Sequence, residues 1–201
     1  MEKKYKSALL VLITLFLASL SPNKPKINQI SEYINNIQTI SSDFIQTNSN
    51  GESFSGIIKI KKPGLLLLDY YKPSNNKIIS NGKEVALINK KNKTITYYNL
   101  KQLPIKVFLD SNFSLDNFKI IKYQEDQKKI EFEINDKNNN NAGSIKFIFQ
   151  DSPLLIKKWI IKDIQGFETQ IFLSNTIINS KLEDLNFKIE DPKKLPFGGT
   201  R

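Results

Sequence analysis

The sequence FSGIIKIKKPGLLLLDYYKP, residues 54–73, is the most apolar part of the chain beyond residue 21. Alternate residues of an extended strand share a face. Ile58, Ile60 and Lys62 therefore lie on one face of a predicted strand, and Lys59 lies on the other. This alternation predicts a strand that buries one face and keeps the other in water.

The dipeptide Pro63-Gly64 interrupts this run and predicts a bend. After the bend, Leu66, Leu68 and Tyr70 form a second row on one face. A bend between two apolar strands can line a concave surface, and we interpret this surface as one suited to lipid. From the residues alone, a packed core explains the two rows better, because most apolar rows of strands are interior.

The composition excludes several classes of function. The 201 residues carry a formal net charge of +10 and include no His and no Cys. Without these residues, Ser-His and Cys-His nucleophile pairs, imidazole or thiolate metal sites and disulfides cannot form. The only Arg is Arg201, although Arg is the usual residue for bidentate recognition of phosphates and bases. We therefore expect no cofactor, no metal site and no nucleic-acid partner.

The first 21 residues have the pattern of a secretory signal. A basic segment that ends at Lys6 precedes an uncharged run over residues 8–20, which is short for a membrane span of about 20 residues. We predict that residues 1–21 are a cleaved signal peptide and that residues 22–201 form one domain. An uncleaved N-terminal anchor is the alternative.

Beyond this leader the pattern changes from helical to extended. Isoleucines at close to the helical period predict an amphipathic helix over about residues 26–40. From Phe44 onward, alternating runs separated by turn residues predict an antiparallel meander that must curl to bury one face. Asn81-Gly82 is the strongest hairpin signal. The predicted strands lie around Phe44, from Ser53, and at residues 65–70, 77–80, 83–89, 94–100, 119–123, 129–134, 145–149, 155–163, 167–174 and 186–189.

Residues 100–118 break the strand pattern. Pro104 in a first turn predicts a short helix over residues 104–110, and Ser114 as a capping residue predicts another. Such short apolar helices need an apolar partner, so we interpret them as a lid over the concave face of the sheet. A plain amphipathic helix on a packed core is the alternative. The apolar residues of the segment include Leu103, Ile105, Phe108 and Leu109.

Several short motifs occur in a fixed order along the chain. They are Phe44-x-Gln46, Gly56-x-Ile58-x-Ile60-Lys61-Lys62-Pro63, Tyr70-Tyr71-x-Pro73, Ser80-Asn81-Gly82-Lys83 and Phe187-x-Ile189-x-x-Pro192. Together with the predicted N-terminal helix, these motifs resemble the LolA family of periplasmic lipoprotein carriers over nearly the whole chain beyond the leader. Each motif is short, so the resemblance rests on their order and spacing.

The resemblance implies a mainly β fold with some α-helix. This fold is an incomplete antiparallel β-barrel of ten or eleven strands with an N-terminal helix and short lid helices over a hydrophobic cavity. The cavity would hold the acyl chains of lipoproteins, which favours a vacant interior over a packed one. The implied cavity residues are Ile58, Ile60, Leu66, Leu68 and Tyr70, and the implied lid residues are Leu103, Ile105, Phe108 and Leu109.

Lys62 stands where the LolA family commonly has an Arg that is implicated in holding the lid closed through backbone carbonyls. The resemblance therefore implies that Lys62 is the lid latch, although Lys lacks the planar fork of Arg. An ordinary surface lysine is the alternative. Lys59 and Leu68 replace residues that are commonly Trp in the family, which affects the expected shape of the cavity.

The resemblance also implies partners and a location. The expected protein is a periplasmic, monomeric and non-enzymatic carrier of acylated lipoproteins. Its donor would be an inner-membrane ABC-type lipoprotein-releasing complex, and its acceptor a LolB-like protein or the outer membrane itself. A periplasmic lipid- or stress-sensing domain of the same open barrel is one alternative. The other is a secreted hydrolase using carboxylates such as Asp69 and Glu84, although no second acid pairs with Asp69 in the sequence.

Overall fold

The chain forms one curled sheet that carries its two α-helices on the concave side. A computed structural model of the protein describes residues 26–138 and 143–190. The predicted signal peptide at residues 1–21 and the end of the chain from residue 191, including Pro192 of the last motif, lie outside the described residues. Among the described helices, none is long and apolar enough to cross a bilayer.

The helices and strands follow the predicted order closely. Two α-helices are α1 (Lys26–Asn36) and α2 (Lys106–Leu109), and short 3-10 helices lie at Leu100–Gln102, Leu115–Asn117 and Asp184–Phe187. The strands are β1 (Thr39–Asn48), β2 (Ser53–Lys61), β3 (Leu65–Tyr70), β4 (Asn76–Asn81), β5 (Glu84–Asn89), β6 (Thr94–Asn99), β7 (Phe118–Glu125), β8 (Lys129–Asp136), β9 (Ser144–Gln150), β10 (Leu155–Lys162) and β11 (Glu168–Ile178).

All eleven strands belong to one antiparallel sheet with the order β6-β5-β4-β3-β2-β1-β11-β10-β9-β8-β7. β6 and β7 are therefore the two ends of the sheet, and the barrel is incomplete between them. The segment that joins β6 to β7 contains α2 and runs across the concave side. This arrangement confirms the predicted open antiparallel sheet with an N-terminal helix and a short helical lid.

Alternation along the strands decides which side is buried. On β8, Ile130, Phe132 and Ile134 are fully buried in the main core, whereas Glu131 and Glu133 lie on the outer face among lysines. The same period of two runs through most of the other strands. One concave apolar side and one wetter convex side follow from this pattern.

Helix α1 is shorter than the sequence predicts. The predicted helix reached residue 40, whereas α1 ends at Asn36 and β1 begins at Thr39. The Asn179 side chain explains this end, because its amide donates to the Asn36 carbonyl at 2.9 Å and its oxygen accepts from the Gln38 N–H at 2.7 Å. Ile40 then pairs with β2 and β11 as a strand residue.

The C-terminal strand predicted at residues 186–189 is wrong, because the chain there forms the 3-10 helix Asp184–Phe187. This helix lies on the convex side of the sheet, where Lys59 donates to the Asn186 side chain at 2.9 Å and Lys61 pairs with Asp184. We call residues 182–189 the outer strap. Its Phe187 ring is buried in a second apolar cluster with Leu67, Ile79, Ala86 and Ile88.

The lid segment forms short helices as predicted, with one difference. Helix α2 lies within the predicted range of residues 104–110. A second short helix, Leu115–Asn117, follows Ser114, but the Ser114 side chain makes no capping hydrogen bond. The Phe113 N–H instead bonds to the Asn35 side chain at 2.7 Å, so this part of the segment is held by α1.

Candidate binding cavity

The concave side of the sheet encloses a cavity of about 290 Å³. Strands from opposite parts of the sheet supply its walls, and the beginning of the lid segment covers it. The lining side chains are Gln46, Ile58, Leu66, Leu68, Tyr70, Ile78, Val85, Leu87, Tyr98, Leu103, Pro104, Ile105, Trp159, Ile161, Thr169 and Ile171. None of these residues is charged, so the cavity suits an apolar ligand.

Most of the predicted cavity residues lie in this wall. Ile58, Leu66, Leu68 and Tyr70 line the cavity. Ile60 is fully buried in the same core but does not border the open volume. The two rows singled out in the sequence are therefore partly a packed core and partly the wall of a vacant space.

The predicted lid residues divide into two pairs. Leu103 and Ile105 border the cavity, whereas Phe108 and Leu109 are completely buried and do not. The Phe108 ring lies 5.6 Å, centroid to centroid, from the rings of Phe147 and Trp159. Phe108 of α2 thus fills one part of the interior, and Ile105, which directly precedes α2, covers another.

A small polar pair interrupts the apolar wall. The Tyr70 hydroxyl donates to the Gln46 side-chain oxygen at 2.6 Å, and both residues line the cavity. Burial raises the pKa of Tyr70 to about 12, so the phenol stays neutral at physiological pH. Gln46 belongs to the Phe44-x-Gln46 motif, but its place in the cavity was not predicted.

The turn between β2 and β3 holds the lid through its backbone. The Gly64 N–H donates to the carbonyl of Leu109, the last residue of α2, at 2.8 Å. The buried Ser80 hydroxyl donates to the Gly64 carbonyl at 2.7 Å and fixes the turn. Gly64 has a φ of +77°, and an added Cβ would lie 2.7 Å from the Gly82 Cα, so only glycine fits. The sequence showed the turn but not its contact with α2.

Lys62, the predicted latch, lies beside this turn and is only 6% exposed. Its ammonium donates to the Ile34 carbonyl, in the last turn of α1, at 2.7 Å. The same nitrogen lies 5.1 Å from the centre of the Phe108 ring in α2. Burial lowers the pKa of Lys62 from 10.5 to about 8, and the nearby Asp110 partly opposes this. Lys62 therefore contacts both helices on the concave side, and its latch role stays a prediction.

Trp159 contributes an unusual polar atom to the interior. Its side chain is 1% exposed, and among the described residues its indole N–H has no hydrogen-bond acceptor. A buried donor without an acceptor costs about 1–3 kcal/mol. The ring packs against Phe108 and also borders the cavity. The described part of the protein therefore leaves this hydrogen-bond donor without an acceptor.

The carboxylates considered for hydrolysis do not form a site in the cavity. Asp69 forms ion pairs with Lys90 at 2.9 Å and Lys77 at 3.5 Å, and Glu84 is exposed at the start of β5. Neither residue lines the cavity. In the part of the chain that the structure describes, no cluster of three or more acidic, His or Cys residues could hold a metal ion.

Comparisons with known proteins agree on one family. The sequence model of the family described as "Outer membrane lipoprotein carrier protein LolA" matches residues 35–190. The chain is 26% identical over 187 residues to an outer-membrane lipoprotein carrier protein of Pasteurella multocida, with 90% of each chain covered. It is 22% identical over 196 residues to a protein of the same name from Hahella chejuensis, with 92% of this chain and 93% of the relative covered.

A solved structure shows the same fold at low sequence identity. It is a DUF1329 family protein from Desulfovibrio piger, which superimposes with a TM-score of 0.50 at 10% identity. The match covers 81% of this chain and 95% of the other. The overall fold of this chain is therefore one already seen in a crystal structure.

Proposed function

Because this chain belongs to the LolA family of outer membrane lipoprotein carrier proteins, whose model it matches over residues 35–190, we propose that it carries lipoproteins between membranes without catalysis. The acyl chains of the cargo lie in the cavity under the lid. The donor is an inner-membrane ABC-type releasing complex, and the acceptor is a LolB-like protein or the outer membrane itself. The protein acts in the periplasm as a monomer and needs no cofactor.

One observation carries this proposal: the cavity of about 290 Å³ has a wall without a charged side chain. Its volume is close to the lower end of the range of about 300–1,000 Å³ for small-molecule pockets. Each methylene group that leaves water contributes roughly 0.8 kcal/mol, so a chain of about 15 methylenes contributes about 12 kcal/mol before other costs. Burial of even part of such a chain against this apolar wall is therefore strongly favourable.

Loading of a whole acyl chain requires the lid to move. Ile105 roofs the cavity and Phe108 fills the neighbouring part of the interior, so displacing α2 joins the two spaces. The displacement breaks the bond between Gly64 and Leu109 and exposes the Phe108 ring. It also hydrates the indole N–H of Trp159. Because these effects oppose one another, we expect the closed and open lids to differ by only a few kcal/mol.

Lys62 contributes to this balance as the lid latch. Its ammonium joins α1 to the Phe108 ring of α2 through the Ile34 carbonyl. Replacing Lys62 by Leu removes this link, and we expect faster loading and faster release in a lipoprotein transfer assay. Unchanged rates of both steps would show that Lys62 is not a latch.

Mass spectrometry tests the carrier function directly. The mature protein, purified from periplasm, is expected to carry acylated polypeptides. Leu87→Trp fills the cavity wall and is expected to reduce this load severalfold, whereas Ile177→Trp, on the exposed convex side, is expected to leave it unchanged. Free lipid without any acylated polypeptide would instead favour the lipid-sensing alternative, and equal loads in the two variants would place the cargo outside the cavity.

A further inference from the structure

The two free edges of the sheet differ in how they are protected. β7 carries a bulge between Ile120 and Lys122 and has lysines at positions 119 and 122. Bulges and lysines on an edge strand prevent another strand from adding to it. β6, with the sequence TITYYN, pairs with β5 over its whole length without a shift in register. It contains no charged residue, proline or glycine.

The outer edge of β6 is a regular row of hydrogen-bonding groups. β6 ends the order of strands, so no described strand pairs with this edge. The Leu100 N–H donates to the Lys83 carbonyl directly opposite, which makes that position a hydrogen-bonded pair. Because such pairs alternate in an antiparallel ladder, the N–H and C=O groups of Ile95, Tyr97 and Asn99 point away from β5.

β6 is also continuous with the cavity. Tyr98 lines the cavity from the concave side and is 47% exposed. The same side chain borders a surface depression of about 580 Å³ beside the edge. A ligand that leaves the cavity past Tyr98 therefore reaches the free edge of β6 at once. The depression is lined by Gly82, Lys83, Glu84, Tyr97, Tyr98, Asn99 and Lys101.

We propose that β6 binds the extended polypeptide segment that follows the acylated residue of the cargo, as an added β-strand. This inference rests on the proposed carrier function, which places the acyl chains in the cavity. Strand addition uses main-chain hydrogen bonds, which do not depend on the side chains of the added segment. One carrier can therefore bind the polypeptides of many cargoes that share only their acyl chains.

The end of this chain is the competing occupant of the edge. Ile189 packs on the same outer cluster as Ile95 of β6, and residues 191–201 come directly after Glu190 in the sequence. They contain Pro192 and Pro196, and each proline lacks the N–H that a ladder requires. The cargo polypeptide is therefore the better partner for β6.

Hydrogen exchange of the mature protein tests this proposal. One probe is a triacylated cysteine that carries an eight-residue peptide of Ser, Asn and Thr, and the control probe is the same triacylated cysteine ending in a methylamide. The peptide probe is expected to slow exchange at the Ile95, Tyr97 and Asn99 amides by about tenfold or more, since each gains an acceptor. The control probe is expected to leave them fast.

The possible outcomes distinguish failure of the β6 proposal from failure of the proposed carrier function. Binding of both probes with equal exchange at the three amides overturns the β6 proposal and leaves the carrier function standing. Binding of neither probe overturns both. A third outcome is that the three amides exchange slowly in the unloaded protein and become fast when residues 191–201 are deleted. This result would overturn the β6 proposal, because the C-terminus of this chain would then be the partner of β6.

A pair of variants at one position gives an independent measurement. Tyr97→Pro removes an N–H that points away from β5, so the pairing of β6 with β5 is retained, and Tyr97→Ala removes the same ring but keeps the N–H. We expect Tyr97→Pro to weaken binding of the peptide probe by about three- to tenfold relative to Tyr97→Ala, with equal affinity for the control probe. Equal affinities of both variants for the peptide probe, in proteins with the same melting temperature, would overturn the proposal.

Discussion

The interior of the curled sheet has two halves that are built from the same alternating pattern but packed differently. In the aromatic half, under β7 to β9, fully or nearly fully buried rings pack against one another, and no residue of these three strands lines the cavity. In the aliphatic half, under β2 to β5, branched side chains line the cavity of about 290 Å³. The aromatic half contains Phe108, Phe113, Phe118, Phe132, Phe147 and Phe149, and the aliphatic half contains Ile58, Leu66, Leu68, Ile78 and Val85.

The difference shows that helices decide which half is filled. Helix α1 packs over the aromatic half, where Tyr33 lies edge-on to Phe149 at 5.8 Å. Helix α2 adds Phe108 from the other side. Over the aliphatic half only Leu103, Pro104 and Ile105 of the lid segment reach the wall. Inward apolar residues therefore make a packed core where rings and helices meet them, and line a cavity where they do not.

Truncation of the lid is expected to give the largest difference between the halves. Phe108→Ala removes a ring that packs on Phe147 and Trp159 and is expected to lower the free energy of unfolding by about 3–5 kcal/mol. Ile105→Ala is expected to cost about 2 kcal/mol, because one side of Ile105 already faces the cavity. Urea denaturation measures both values, and equal losses would contradict the division into halves.

The buried ammonium of Lys62 predicts a dependence of stability on pH. Its pKa in the folded protein, about 8, is below the ordinary value of 10.5. Between these values the unfolded chain binds more protons, so the contribution of Lys62 to stability rises as pH increases from 8 to 10.5 and stays low below pH 8. The rise is about 3 kcal/mol in total.

The variant Lys62→Leu isolates this contribution from the other lysines and tyrosines. The difference in free energy of unfolding between the wild type and the variant is expected to change with pH only above pH 8. A difference that stays constant from pH 7 to 10.5 would show that Lys62 is not desolvated beside Phe108.

Enlarging one residue in each half tests where space exists. Ile130→Phe, in the aromatic half, is expected to cost about 1–3 kcal/mol because a packed core cannot accept extra atoms. Val85→Phe, which points into the cavity, is expected to change stability by less than about 1 kcal/mol and to reduce binding of a fluorescent fatty acid. Similar costs for the two variants would mean that the cavity is absent in solution.

Removing one hydroxyl in each half is expected to give the smallest effects. Tyr33→Phe deprives the Ile156 N–H, in a fully buried residue, of its acceptor at 3.1 Å and is expected to cost about 1–3 kcal/mol. Tyr70→Phe frees the half-buried Gln46 side chain, which water can reach, and is expected to cost about 1 kcal/mol or less. Thermal melts of the two variants measure this order, and a larger loss for Tyr70→Phe would contradict it.

The strands could be predicted because each is determined by residues that are close together in the sequence. Alternation on β8 and the Asn81-Gly82 turn between β4 and β5 are visible within a few residues and agree with the structure. The motifs also indicated the family. What could not be predicted depends on distant partners, such as the end of α1 at Asn36, which requires the Asn179 side chain 143 residues later.

The same limit applies to the cavity. Ile58 and Ile60 lie on the same face of one strand, yet only Ile58 borders the vacant volume. The difference depends on side chains from other parts of the chain that surround each position, and residue spacing within β2 contains no information on these. The outer strap was not predicted for the same reason. Its Phe187 ring is buried only because it packs on Leu67 of β3 and on neighbouring side chains of β4 and β5, which are distant in the sequence.

The outer strap has a consequence for capacity. It covers the back of the wall formed by β3, β4 and β5, so these strands are clamped between two apolar layers. Bending this wall outward would expose the buried Phe187 and Leu67 side chains, and the loss of their burial opposes such a movement. Under the proposed carrier function, room for a second or third hydrocarbon tail then comes from displacement of the lid segment on the other side of the cavity. In that proposal, the number of tails bound per molecule depends on how far the segment that contains the four-residue helix α2 moves, and native mass spectrometry counts the bound tails directly.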